Sequence, residues 1–131
     1  MKMRNEHRVP ISKQVEISFD NLKLLGFSPK IVFARPRNKA GIIDENAARI
    51  QFQKFDPDIT GHGMRSTFRT WLRKQKCYPP DLMETALSHE KNKIVQAYMR
   101  DDLLDERRPM MQDWADYVTS GSMPPRLRDH L

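Results

Sequence analysis

A chain of 131 residues is long enough for one domain, or a part of one, with a single modest core. Hydrophobic residues supply 38% and charged residues 31%, as in a soluble globular protein with a heavily charged surface, and no apolar run approaches the ~20 residues that span a bilayer. The 23 Lys+Arg against 17 Asp+Glu leave a net charge of +6, which permits an anionic partner without naming one, and the single cysteine, Cys77, excludes an internal disulfide and fits a reducing, cytosolic setting.

In chain order, the amino terminus is polar from Lys2 onward and has no apolar core, so neither a signal peptide nor a membrane anchor is expected. Pro10 pushes Val9 out of helical conformations, so residues 1–11 read as a strand or the second half of a hairpin, and Ser12 can cap the next element. Val15, Ile17, Phe19, Leu22, Leu24 and Leu25 predict a helix from Lys13 to Leu25 with an untidy apolar stripe, and Gly26 is placed to end it. A short apolar run at Ile31 to Phe33 precedes the basic loop ARPRNKAG, which is either plainly solvated or in touch with phosphate. Asp44 predicts the cap of a second helix running to about Phe55, with Ala47, Ala48, Ile50, Phe52 and Phe55 facing inward.

FDPDITGHG reads as a turn-rich connector into a third helix, about Met64 to Lys76, that buries Met64, Phe68, Trp71 and Leu72. Pro80 suits the first turn of a fourth helix reaching Leu87. Asn92 can cap a short fifth helix through Tyr98 and Met99. Asp101 or Asp102 can start a sixth, through Leu104, Met110, Met111, Trp114 and Tyr117, which Pro109 should kink or split. From Thr119 onward the sequence, ending SGSMPPRLRDHL, reads as a flexible tail over 119–131, leaving 1–118 as the folded portion. There are no internal repeats, and the expected class is mainly α with a small β hairpin or sheet remnant (α+β).

The chemistry-bearing residues are weak signals singly. In GHGMRSTF, His62 and Arg65 are three apart at a helix start and so share a face, although an isolated pair of this kind is more often surface or capping. In TALSHEKNKIVQAYMR, His89 and Tyr98 are nine apart, which is half-integral for one helix at 3.6 residues per turn. They converge only if the chain turns between them, and EKNK supplies that turn. Read alone, Tyr98 is more often an amphipathic core residue, His89 a helix cap, His62 a partner for a backbone carbonyl and Lys2 a free terminus. Cys77, in KQKCYPP, reads as a bystander, and two histidines without a third ligand at the right spacing do not make a zinc site. Trp71, Trp114, Met110 and Met111 read as packing residues, whereas His7, His130, Arg107 and Arg108 carry no functional signal.

Their order is the strong signal. Lys2, His62-x-x-Arg65, LSH at His89 and AYMR at Tyr98 resemble the signature of the tyrosine recombinases, and Lys2 precedes Pro10 by eight residues as in that family's lysine hairpin. The segments MKMRNEHRVPIS, TGHGMRSTFRTWL and AYMRDDLLDERRPMMQDWADY look most like prophage integrases of the P4-like group, and the resemblance runs from Met1 to about Val118. It implies the C-terminal part of a catalytic domain for site-specific DNA recombination and integration, with Tyr98 forming a 3′-phosphotyrosyl link, Arg65 and His89 supporting the phosphate oxygens, His62 assisting at the nucleophile and Lys2 acting as the acid. It implies double-stranded DNA attachment sites and other recombinase protomers as partners, no metal or other cofactor, no membrane, and a bacterial cytoplasmic location, on the nucleoid when bound.

The sequence also departs from the pattern. The family's further catalytic arginine lies upstream of the lysine hairpin, where this sequence begins, and neither Arg35 nor Arg37 has support as a substitute. The N-terminal arm and core-binding domain that clamp DNA are likewise absent from it. The chain alone is therefore expected to be inactive in recombination, and the apolar surface left uncovered is expected to drive self-association. The alternative reading is a non-catalytic DNA-binding or interaction remnant of a decayed prophage integrase.

Overall fold

The computed structural model describes residues 8–25, 30, 33–34, 41, 43–44, 46–87 and 102–122. The described residues hold five helices: α1 (Lys13–Leu24), α2 (Ala47–Gln53), α3 (Gly61–Lys74), α4 (Pro80–Ala86) and α5 (Leu104–Ser120). Two compact units are present, one of Met1–Ser12 with Phe68–Leu131 and the other of Lys13–Thr67, the boundary falling within α3. The predicted short helix through Tyr98 and the hairpin residues 1–7 lie outside the described residues.

The first of these units holds a core rich in aromatic side chains. Trp71, Leu72, Leu82 and Met110 are buried together, with Phe68, Tyr78, Leu103, Trp114 and Tyr117 packed around them. Trp71 has the ring of Trp114 at 5.2 Å and that of Tyr117 at 5.7 Å, and Phe68 lies 5.1 Å from Trp114, distances at which tilted rings attract beyond their area burial. Cys77 is half-buried against this core, a packing position. Helix α4 packs on α5. Pro79 sits at its N-cap in extended conformation with Pro80 in the first turn, where no amide hydrogen is missed. The Tyr78 hydroxyl donates to the buried carboxylate of Asp113 on α5, so a polar residue inside this core has its partner.

Of the kink or split expected at Pro109, the split does not occur: α5 continues through that residue to Ser120. The proline costs the one bond that its amide would make to the carbonyl of Asp105, while Arg107 N–H bonds Leu103 O at 2.9 Å in the turn before it. The helix stops at Gly121, whose φ of 65° is the left-handed turn that glycine adopts without strain.

In the other unit, α1 is a helix over the predicted span yet buries no residue. Phe19 and Leu22, which lie 60° apart on a helical wheel, are half-buried. Ile17 and Leu24 fall on the far side, and Leu24 is 85% exposed. Helix α2 is shorter than the sequence suggested. Its N-cap is Asn46, while Asp44 lies ahead of it and accepts a turn bond from Asn46 N–H at 2.8 Å. Of the predicted inward set only Ala47 and Phe52 are half-buried. Ile50 stands 200° from Phe52 on the helix and cannot share its face, and Phe55, beyond the helix end, is 88% exposed. Met64 is also exposed, because it sits in the first turn of α3, short of the stretch whose side chains form the aromatic core.

The β remnant is not present among the described residues. Residues 8–12 form no ladder, although they alternate as an extended chain does, with Pro10 and Ser12 buried between exposed Val9 and Ile11. Pro10 offers no amide to a ladder, and α1 begins at Lys13. The nearest to strand pairing is an isolated bridge at Ala34, beside an Ile43 N–H bond to Phe33 O at 3.0 Å.

Candidate functional site

His62 and Arg65 are the two predicted site residues within the described structure, and α3 positions both. The helix starts three residues before the sequence suggested, at Gly61, because Thr60 caps it: its hydroxyl accepts from Gly63 N–H at 2.9 Å and its carbonyl from Met64 N–H at 3.0 Å. A side chain at position 63 would meet the Thr60 Oγ1 at 3.1 Å, so glycine there lets the cap close. Thr67 then bonds back to Gly63 O at 3.0 Å and ties the second turn to the first. His62 thus stands in the first turn and Arg65 one turn on, both exposed and 60° apart on the wheel. The positive end of the helix dipole lies at the same turn. An exposed imidazole and an exposed guanidinium at this end of a helix suit an anion, and a phosphate in particular.

Lys2, His89 and Tyr98 lie outside the described residues. Described structure resumes close to two of them in sequence, at Arg8, six residues after Lys2, and at Asp102, four residues after Tyr98. There the chain builds a charged cluster. Arg8 grips the Asp102 carboxylate through Nε at 2.6 Å and Nη2 at 2.7 Å, a bidentate pair. Arg107, 1% exposed, donates from Nη2 to Arg8 O at 2.8 Å and from Nε to Asp102 O at 2.9 Å. Its Nη2 also lies 3.6 Å from the Asp102 carboxylate.

The hydrogen bond from Arg8 holds the Asp102 carboxyl below the ordinary carboxylate value, with the charges of Arg8 and Arg107 adding to it. Burial pulls the Arg107 guanidinium down from its ordinary value, and Asp102 opposes that pull. A clue to Arg107 does exist in the sequence. It precedes Met110 by three residues and Trp114 by seven, so on a helix it falls on the apolar face, where an arginine needs partners.

The chain is 34% identical over 135 residues to prophage integrase IntA of Escherichia coli K12, a match that covers 100% of the chain and 32% of that protein. It is 36% identical to the integrase of Enterobacteria phage P4 over 90% of the chain, and 37% identical to prophage integrase IntZ of Escherichia coli K12 over 92% of it. No family model and no solved structure matches the chain. These similarities match the chain to the C-terminal portion of phage and prophage integrases. The chain spans about a third of the length of the curated relatives it matches.

Proposed function

We propose that this chain is the C-terminal portion of a tyrosine recombinase catalytic domain that breaks and rejoins DNA in site-specific integration. The observation that carries the reading is the pairing of His62 and Arg65 on one exposed face at the capped start of α3. It is supported by the order of Lys2, His62, Arg65, His89 and Tyr98 and by the integrase names of the relatives. The folded portion in this reading is 1–118, and α5 carries it two residues further, to Ser120, ahead of the tail.

The chemistry stems from the demands of a phosphodiester. The Tyr98 phenolic oxygen attacks phosphorus, the bond to the 5′ oxygen breaks, and a 3′-phosphotyrosyl link forms that conserves the bond energy for rejoining. His62 assists removal of the phenolic proton, and Lys2 gives a proton to the departing 5′ oxygen. Charge builds on the non-bridging oxygens as the fifth bond forms. Arg65 meets it with a planar, permanently charged fork, and His89 adds a donor. The substrate is duplex DNA at attachment sites, other recombinase protomers are the partners, and the setting is the bacterial cytoplasm.

Trapping on a nicked suicide duplex, from which the freed strand diffuses away, tests the reading. A covalent protein–DNA adduct is expected with the unsubstituted chain and none with Tyr98→Phe. The yield should be low, because one cationic donor to the phosphate is worth about 3 kcal/mol by analogy with oxyanion donors, and the upstream arginine is not in this sequence. Full strand exchange between two attachment sites is not expected. Duplex binding that weakens with salt, gives no adduct and is indifferent to Tyr98→Phe would instead assign the chain to a non-catalytic DNA-binding role.

A further inference from the structure

We infer that Arg107 is a conformational lock: its side chain imposes the left-handed turn at Leu103, where the chain enters α5, and fastens the extended segment 8–12 to that turn, specifying one conformation without adding stability. Leu103 is the N-cap of α5, with φ 52° and ψ 38° and no side-chain cap bond. A branched residue adopts that left-handed conformation only where its surroundings impose it. The two angles relate the peptide plane before Leu103 to the plane after it, and Arg107 holds a carbonyl of each. Its N–H bonds Leu103 O at 2.9 Å, the ordinary first bond of a helix that any residue but proline would make. Its Nε reaches back to Asp102 O at 2.9 Å, a bond that only the side chain supplies. The Nη2 of the same guanidinium donates to Arg8 O at 2.8 Å, 99 residues away in sequence, and so joins segment 8–12, with its buried Pro10 and Ser12, to the turn. Asp102 is the rival for this role, because its carboxylate accepts from Leu104 N–H. That bond acts through a side chain that turns about its own bonds, and leaves the Asp102 carbonyl to Arg107.

The energetics favour specificity over stability. A guanidinium that is 1% exposed has given up its hydration, and burial pulls it down from its ordinary value. The carboxylate of Asp102 lies 3.6 Å from Nη2 and is already gripped by Arg8. Apolar residues of similar volume commonly replace buried ions at no loss of stability, provided that no charge is left stranded. Here none would be, since Asp102 keeps Arg8 when Arg107 is removed. What an apolar side chain does not reproduce is a planar fork whose nitrogens fasten two main-chain carbonyls at once.

The test is solution NMR of the full chain with and without Arg107→Met, read at Leu103. With Arg107 present, the strong cross-relaxation between the amide and α hydrogens that a positive φ brings close is expected at Leu103. In Arg107→Met it should fall at least twofold, while the melting midpoint read by tryptophan emission moves by less than about 5 °C. Tryptic cleavage of the Arg8–Val9 bond, followed by mass spectrometry, should quicken at least tenfold, with cleavage after Lys54, in the other unit, unchanged. A Leu103 that stays left-handed in Arg107→Met overturns the lock and leaves the turn to Asp102. Unchanged cleavage after Arg8 overturns the fastening of segment 8–12. If Arg107→Met does not fold, Arg107→Lys keeps the charge without the fork: loss of the positive φ in that folded variant supports the lock, and its retention overturns it. Loss of the fold in both variants makes Arg107 a residue of stability and overturns the proposal.

Discussion

Thr60 is a small residue on which the site depends. Its hydroxyl satisfies the Gly63 amide, and that bond sets where α3 begins and so where His62 stands. Thr60→Ala leaves this amide without its side-chain acceptor and should lower stability by about 1 kcal/mol, read by urea denaturation, with Thr60→Ser recovering most of it. No change in Thr60→Ala would mean that the cap bond is not what holds the first turn. The His62–Arg65 pairing is legible in the sequence because it depends only on helical periodicity, a local property. The cap is not: in FDPDITGHG the glycines and aspartates read as turn, and Asp56 does hold one, its side chain accepting from Asp58 N–H at 2.9 Å. Arg107 escapes notice for another reason. Its partners, Arg8 O and Asp102, come from segments that no local pattern brings together, and an arginine beside Arg108 resembles a solvated charge pair.

At the scale of elements, the apolar stripes long enough to repeat are legible and the short ones are not. Trp71, Leu72 and Met110 are buried as their spacing on α3 and α5 suggests. In α2, seven residues give under two turns, too few for a stripe to define a face, and Ile50 and Phe55 read as inward by type rather than by angle. Proline is the other source of error, since Pro109 signals a break in a helix that continues through it. Pro109→Ala should restore a bond to Asp105 O and stabilise α5. An interior proline is about 3 kcal/mol less favourable than alanine in a helix, a figure that already includes the stiffer unfolded chain, so the gain should be up to about 3 kcal/mol. Chemical unfolding of the variant checks it, and a loss of stability would show that the proline ring contributes packing the helix needs.

At the scale of the whole molecule, the exposed apolar residues matter more than any single contact. Helix α1 buries none of its residues, and Ile17, Leu24, Leu25, Phe33 and Phe55 are all more than half exposed. A chain with this much uncovered apolar side-chain surface should self-associate, so its sedimentation coefficient should rise with concentration; a constant monomeric value over a hundredfold range would count against it. The aromatic core has a separate, spectroscopic consequence. Both tryptophans, Trp71 and Trp114, and the tyrosines Tyr78 and Tyr117 fall in the unit that includes Phe68–Leu131, whereas Lys13–Thr67 contains neither residue type. Ultraviolet emission from this protein therefore reports on one unit alone, while far-ultraviolet dichroism reports on helices in both. The gap between the two melting curves is a direct measure of whether the half bearing His62 and Arg65 loses its structure together with the half bearing the Arg107 clamp.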